Sequence, residues 1–260
     1  MSVTDDAQVG GLLRMWRERR RLSQLELSAR AGVSSRHLSF LETGRSRPTP
    51  QMIDRLATQL DVPLRERNQL LLSAGFAPAH PERSIRSPEL YAVSVAFQRI
   101  LDAHMPFPAL VLDRWWNIVD RNPATDVVLR GCASHLLEPP VNAVLVTLHP
   151  EGLAPRIRNL AQWRTHLLGQ VRSRAEHTGD ARLHQLVRDA SALGEVEESA
   201  GSATDVVLPL ELDRGGDILR LFSIAAALQS ATDITIDELH IEAFYPADQA
   251  TAAWFGRLGS

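Results

Sequence analysis

The sequence has no lysine: all 28 of its basic residues other than histidine are arginine. That absence excludes chemistry built on a lysine ammonium, including a Walker-type phosphate loop, a protein-kinase site and a Schiff-base or pyridoxal-phosphate enzyme. Its one cysteine, Cys132, rules out an intrachain disulfide, a Cys₂His₂ finger and an iron–sulfur cluster, and fits a reducing compartment. Cys132 itself reads as a small buried residue. Long apolar runs are missing too. The longest stretch without a formal charge, Asn68 to Pro81, has 14 residues, short of the ~18 that would suggest a membrane span. The opening Met-Ser-Val-Thr-Asp-Asp is acidic where a signal peptide is basic, so a cytoplasmic protein is expected. No Gly-x-Ser-x-Gly elbow or Gly-x-Gly-x-x-Gly fingerprint occurs, and His149, His166, His177, His184 and His240 form no metal-binding spacing. Neither an enzyme nor a metal site is expected.

What is present is unevenly distributed. Residues 1–78 carry 12 arginines against 8 acidic residues, a net +4, while residues 79–260 carry 16 against 23, a net −7. Three prolines, Pro78, Pro81 and Pro88, lie between the two parts, each removing a backbone donor and disfavouring helix in the residue before it. The expected organisation is a head at 1–77, a proline-rich linker at 78–88 and a larger domain at 89–260.

The head reads as five helices. Val9, Leu12, Leu13 and Trp16 recur at helical spacing, and that helix is expected to end near Arg21. Ser23-Gln24-Leu25-Glu26 is a capping box opening a second helix. Gly32 suits the left-handed conformation that ends it, and Ser34 caps a third helix running to Thr43 with Gly44 beyond it. Thr49-Pro50 starts a fourth helix, and Leu64 to Ala74 a fifth, which Gly75 ends.

Two short helices joined by a glycine-containing turn inside a positive bundle form a helix-turn-helix. The run Leu22-Ser23-Gln24-Leu25-Glu26-Leu27, then Ala31-Gly32-Val33-Ser34, Leu38-Ser39, Leu41-Glu42-Thr43-Gly44-Arg45 and Pro48 resembles the XRE/phage-Cro repressor domains over about residues 8–75. The resemblance implies that the third helix enters the major groove of double-stranded DNA. Ser34, Ser35, Arg36, Ser39 and Phe40 then approach the bases, Arg36 being able to bond guanine O6 and N7 together and Phe40 to touch a thymine methyl. Gln24, Arg45 and Arg47 are placed at phosphates. The resemblance also makes Arg17 and Glu42 a structural pair. Arg14, Arg19, Arg20, Arg30 and Arg55 read more simply as a solvated face.

The larger part reads as two short strands, Pro108–Asp113 and Trp116–Asn122, then helices over 155–178 and 181–193. Three β-rich runs follow at 204–213, 218–224 and 234–245, with a loop at 194–201. This order suggests a multidomain protein: an all-α five-helix head plus an α+β domain with a five-stranded antiparallel sheet. Pro108-Ala-Leu-Val-Leu-Asp, Trp116-Asn-Ile-Val-Asp-Arg-Asn122, Pro140-Val-Asn142 and Asp237-Glu-Leu-His-Ile-Glu-Ala-Phe-Tyr-Pro-Ala-Asp248 carry a further likeness. With the head, the chain resembles the MmyB-like transcription regulators, in which an XRE helix-turn-helix precedes a PAS-like ligand-binding domain. One segment departs from that pattern: Ala190 to Ser199 lacks the family's Ser…Phe…Trp run.

The resemblance implies a sequence-specific DNA-binding regulator, homodimeric so that two half-sites are read, with a small ligand held between sheet and helices. Side chains expected to line that space are Val111, Trp116, Ile118, Trp163, Leu167, Phe222, Ile224, Ile241 and Phe244. Such a lining favours an apolar or amphipathic, fatty-acid-like molecule whose head group meets an arginine or histidine, with no other cofactor. Asn122 is placed either to orient that ligand or to cap a helix beginning at Pro123. In the alternative reading, the larger domain only dimerises or recruits a partner.

Overall fold

The computed structural model describes residues 3–194, 207–228 and 231–257. The chain divides into two units, and the division falls between Arg83 and Ser84, with 231–237 joining the first unit rather than the second.

The first unit contains α1 (Val3–Arg19), α2 (Gln24–Ala31), α3 (Ser35–Glu42), α4 (Pro50–Gln59) and α5 (Leu64–Ser73). The caps form as the sequence indicates. Ser23 and Glu26 make the reciprocal capping box, Ser34 accepts from the His37 amide, and Thr49 accepts from Met52 with Pro50 behind it. Gly32 ends α2 at φ 63°. Val9, Leu13, Trp16, Leu27, Leu38, Leu41, Ile53, Leu56 and Leu70 close one core. α1 approaches α3 very closely: a Cβ on Gly10 would stand 2.5 Å from the Leu41 carbonyl oxygen, so only glycine fits there. A short helical turn, α11 (Ile234–Asp237), completes this unit, burying Ile234 and Ile236 while Asp233 pairs with Arg83 at 2.9 Å. The sequence predicts one continuous strand over 234–245. Asp233 instead caps a turn by accepting the Thr235 amide at 3.0 Å, and the strand begins only at His240.

The second unit begins with α6 (Tyr91–Ala103), which the sequence reading did not identify. It continues through β1 (Ala109–Leu112), β2 (Ile118–Arg121), α7 (Pro123–Leu129), α8 (Ala143–Leu148), α9 (Leu160–Thr178) and α10 (Ala181–Ala192). It closes with β3 (Leu210–Arg214), β4 (Asp217–Ala227), β5 (His240–Pro246) and α12 (Gln249–Gly256). The five strands form one antiparallel, PAS-like sheet in the order β2-β1-β5-β4-β3, so β5 is central. The loop expected at 194–201 and the start of the run at 204 lie outside the described residues.

Successive side chains of a strand point to opposite faces. Leu110, Leu112, Leu210, Leu212, Leu219 and Leu221 turn to one face. There they join two apolar clusters with Val144, Leu167 and Leu183, and with Leu129, Trp163 and Phe255. Beside this layer sits Asn122, completely buried. Its Oδ1 accepts from the Ala109 amide at 3.0 Å and from the Thr125 amide at 3.3 Å. Its Nδ2 donates to the carbonyls of Phe107 at 2.8 Å and Leu101 at 3.2 Å. One side chain therefore ties α6, β1 and α7 together. Asn122→Leu keeps the volume but leaves several buried backbone groups unpaired, each costing about 1–3 kcal/mol. Urea denaturation followed by tryptophan fluorescence is expected to show at least ~3 kcal/mol lost.

Candidate functional site

In the first unit, the position of α3 is set from behind. Glu42, its last residue, accepts from Arg17 Nε at 2.7 Å and Nη2 at 3.0 Å, and from Gln24 Nε2 at 2.8 Å. Arg17 also donates to the Leu22 carbonyl at 2.8 Å. The buried carboxylate thus joins α1, α2 and α3. Of the residues expected at DNA, Ser34, Ser35 and Arg36 are exposed around the start of α3, Ser39 and Phe40 are half-buried one turn on, and Arg45 and Arg47 are exposed beyond its end. Phe40 collects cations: the guanidinium carbons of Arg36 and Arg45 lie 5.4 and 6.0 Å from its ring centroid. Ser34 spends its oxygen as a cap. Gln24 gives one amide hydrogen to Glu42, and a primary amide has a second. Arg20 is not merely solvated, because it donates to the carbonyls of Leu60 and Asp61 at 2.7 and 2.6 Å.

The second unit holds a cavity between the sheet and its helices. It measures about 70 Å³ as room for the centres of water-sized spheres, within about 680 Å³ of atom-free space that opens to solvent. Trp116, Ile118, Trp163, Leu167 and Phe244 line it as expected from the sequence, together with Leu110, Thr125, Val128, Ala143, Val146, Leu221 and Glu242 among others. The indole of Trp116 is delivered by a tight turn. Asp113 accepts from the amides of Trp115 and Asn117 at 2.8 and 2.9 Å, and Trp116 takes φ 63°, a costly conformation for a bulky residue. Asn142 secures the turn by donating to the Trp115 carbonyl at 2.8 Å while capping α8.

A family profile for the MmyB-like transcription regulator ligand binding domain matches residues 93–258, and one for a helix-turn-helix matches 13–67. The chain belongs to the MmyB-like transcription regulators. Among solved structures, the clp gene regulator ClgR from C. glutamicum is 24% identical, covering 27% of this chain and 88% of that one, with a TM-score of 0.25. An RNA-binding light-oxygen-voltage receptor is 13% identical, covering 97% of this chain and 63% of that one, less than two thirds of its length, with a TM-score of 0.27. No curated protein matches. Among the described residues, no helix is long and apolar enough to cross a membrane.

Four expected lining residues of this MmyB-like regulator do not reach the cavity. Val111 pairs with Ile241 and Phe222 with Tyr245, and all four belong to the opposite face of the sheet from Leu110, Glu242 and Phe244. Phe222 stacks on Tyr245 at 5.7 Å, and Ile224 is 52% exposed. The expectation contradicted itself: Ile241 and Phe244, three apart in one strand, cannot share a face. Asn122 serves the backbone instead, as described above. Glu242 was missed, although it lies two residues before Phe244. Nor does an arginine or histidine line the cavity among the described residues. Arg164, buried on α9, points its guanidinium at the Ala190 carbonyl of α10 and at those of Leu193 and Gly194 just beyond its end.

Two half-buried titratable groups follow one another on the inner face of β5. Burial, reinforced by the charge of Arg174, pushes His240 down to about 4. Its ring meets Trp116 edge-on at 5.9 Å, and Arg174 lies 5.6 Å over the other side chain of that pair, Trp116. Burial also pushes the Glu242 carboxyl up, opposed by a hydrogen bond from Ser223. Elsewhere, Cys132 is half-buried rather than buried, with an Arg156 nitrogen 3.4 Å from its sulfur, and burial pushes its thiol up. His135, His149 and Glu151 bring possible ligand atoms within 4.8 Å of one another, a grouping their spacing had not suggested. Yet His149 Nδ1 already accepts the Glu151 amide at 3.0 Å, which in a neutral ring leaves the proton on Nε2.

The sign for His240 is clear. Between 6.5 and about 4 the unfolded chain binds a proton that the folded chain refuses, so its stabilising contribution, complete above 6.5, is lost as pH falls. Glu242 acts oppositely, adding stability as pH falls through its raised value. His240→Gln removes only the first effect. Relative to the unsubstituted protein, it is expected to retain up to ~3 kcal/mol more stability near pH 4 than near pH 7, measured by urea denaturation at both.

Proposed function

We propose that this regulator binds its operator as a homodimer through α3 and adjusts that binding when its larger domain takes up an apolar or amphipathic small molecule, fatty-acid-like in its body. Catalysis forms no part of this reading. The observation that carries it is the cavity: a largely apolar space between the sheet and its helices, open to solvent on one side and walled by residues of the two apolar clusters. The ligand acts on DNA binding only by favouring one arrangement of the protein over another. The exposed Arg36 on α3 supports the reading of bases through the major groove. Exposed apolar side chains on the larger domain, Tyr91 at 70% and Ile224 at 52%, favour the second reading, in which that domain is an interaction module.

Operator selection from a random DNA library supplies the binding site. Arg36→Ala is then expected to cost about 1–3 kcal/mol on that site and to relax the preference at one base pair. An equal loss on every sequence would reduce Arg36 to a phosphate contact. For the ligand, native mass spectrometry of the purified protein is expected to show a bound small molecule. Ala143→Phe, which fills the cavity, is expected to abolish its retention while leaving operator binding measurable. Absence of any bound species, together with no thermal shift for any apolar probe, would favour the interaction module.

A further inference from the structure

We propose that Glu242 is the polar anchor of the cavity, and that it selects ligands presenting a hydrogen-bond donor, as a hydroxyl, amide N–H or ammonium, over ligands ending in a carboxylate. This rests on the reading that the cavity receives an apolar-bodied ligand, and it names that ligand's head group.

Register supplies the first argument. β5 is the central strand, and Glu242 stands between Leu110 of β1 and Ala225 of β4, with Phe244 next on the same face. Its direction is therefore fixed by the pleat and by both neighbouring strands. A carboxyl placed there lines a cavity whose walls include Leu110, Trp116, Ile118, Leu221 and Phe244, with the hydroxyl-bearing residues Thr125 and Thr147 also among its lining and Glu242 its one ionisable group among the described residues.

Charge supplies the second. Taking a carboxylate into such surroundings is costly unless it is hydrogen-bonded or paired. Among the described residues no arginine or histidine lines the cavity with it. The buried Arg164 is committed to the carbonyls at the end of α10, and Arg174 lies over the Trp116 ring without lining the cavity. Ser223 gives Glu242 one hydrogen bond, and a carboxylate has room for several more. A ligand donor supplies one of these, and the bond is stronger when Glu242 is ionised. A ligand carboxylate supplies none to ionised Glu242 and sets a like charge beside it, so that one of the two carboxyls must take up a proton before they can share a hydrogen bond.

Size fixes the probes. At about 70 Å³ the cavity exceeds several-fold the roughly 10–15 Å³ needed to admit one water, which suits probes with a body of about six heavy atoms. The full-length protein is titrated calorimetrically at neutral pH with hexan-1-ol, hexanamide, hexylammonium and hexanoate, with toluene as an apolar control. The three donor-bearing compounds are expected to bind at least tenfold more tightly than hexanoate. Glu242→Gln, whose amide can donate to a carboxylate, is expected to shrink that preference to under threefold. Hexanoate binding as tightly as the alcohol, or a preference unchanged in Glu242→Gln, overturns the proposal while leaving the apolar-cavity reading intact. If all five compounds, toluene included, fail to bind, that reading falls and the proposal with it. Should Glu242→Gln not fold, the ranking on the unsubstituted protein decides alone.

Discussion

The alternation of β5 between two faces is the constraint on which the ligand-binding unit depends. β5 lies in the middle of the sheet, hydrogen-bonded to β1 on one side and β4 on the other, so its register fixes theirs. A slip of one residue would exchange every inward side chain for an outward one. In the register observed, His240, Glu242 and Phe244 turn toward the helical layer while Ile241, Ala243 and Tyr245 turn away. The far face is not bare, since His104, just past α6, meets the Tyr245 ring at 4.7 Å. The cavity thus contains what the pleat delivers, including a carboxyl among apolar side chains.

The DNA-reading unit has a corresponding fixed point in Glu42. Its carboxylate is nearly inaccessible and takes three donors from two other helices. Buried ion pairs add little net stability compared with a well-packed apolar substitute, but leaving one partner alone costs about 3–5 kcal/mol. Such a pair therefore serves geometry: it allows one seating of α3 against α1 and α2. Arginine suits both sides of the helix. Behind it, the planar guanidinium of Arg17 matches a carboxylate with two bonds. In front, Arg36 and Arg45 lie against the face of Phe40, an interaction that leaves their edges available for other partners.

What was legible in the sequence was mostly local. The caps at Ser23, Ser34 and Thr49 could be read because each is a hydrogen bond between residues three apart, and the helix starts followed within a residue. The sheet was legible as a list of strands but not as a pairing. Ile218 to Ile224 carries apolar residues on both faces, and only Arg220, at even spacing from Phe222 and Ile224, marks theirs as the outer one, so these two do not line the cavity as expected. Glu242 was overlooked for a related reason, since a charged residue in a strand reads as solvent-facing until its neighbours are known. The turn at Asp233 hid inside a run rich in β-branched residues, where the side-chain hydrogen bonds of one aspartate outweighed strand propensity. Gly10 carried no signal, because the need for a missing side chain arises from another helix crossing above it.

The short stretch containing Ile234 and Ile236 has a consequence for how the protein is inherited and handled. It completes the small helical unit, yet in chain order it sits between β4 and β5. Neither unit is therefore an uninterrupted piece of polypeptide. Synthesis from the N-terminus delivers all five principal helices of the head long before the two isoleucines and Asp233 that finish it. A single cut at residue 83 separates the head from these residues, and no exchange of contiguous gene segments transfers one complete unit without a fragment of the other.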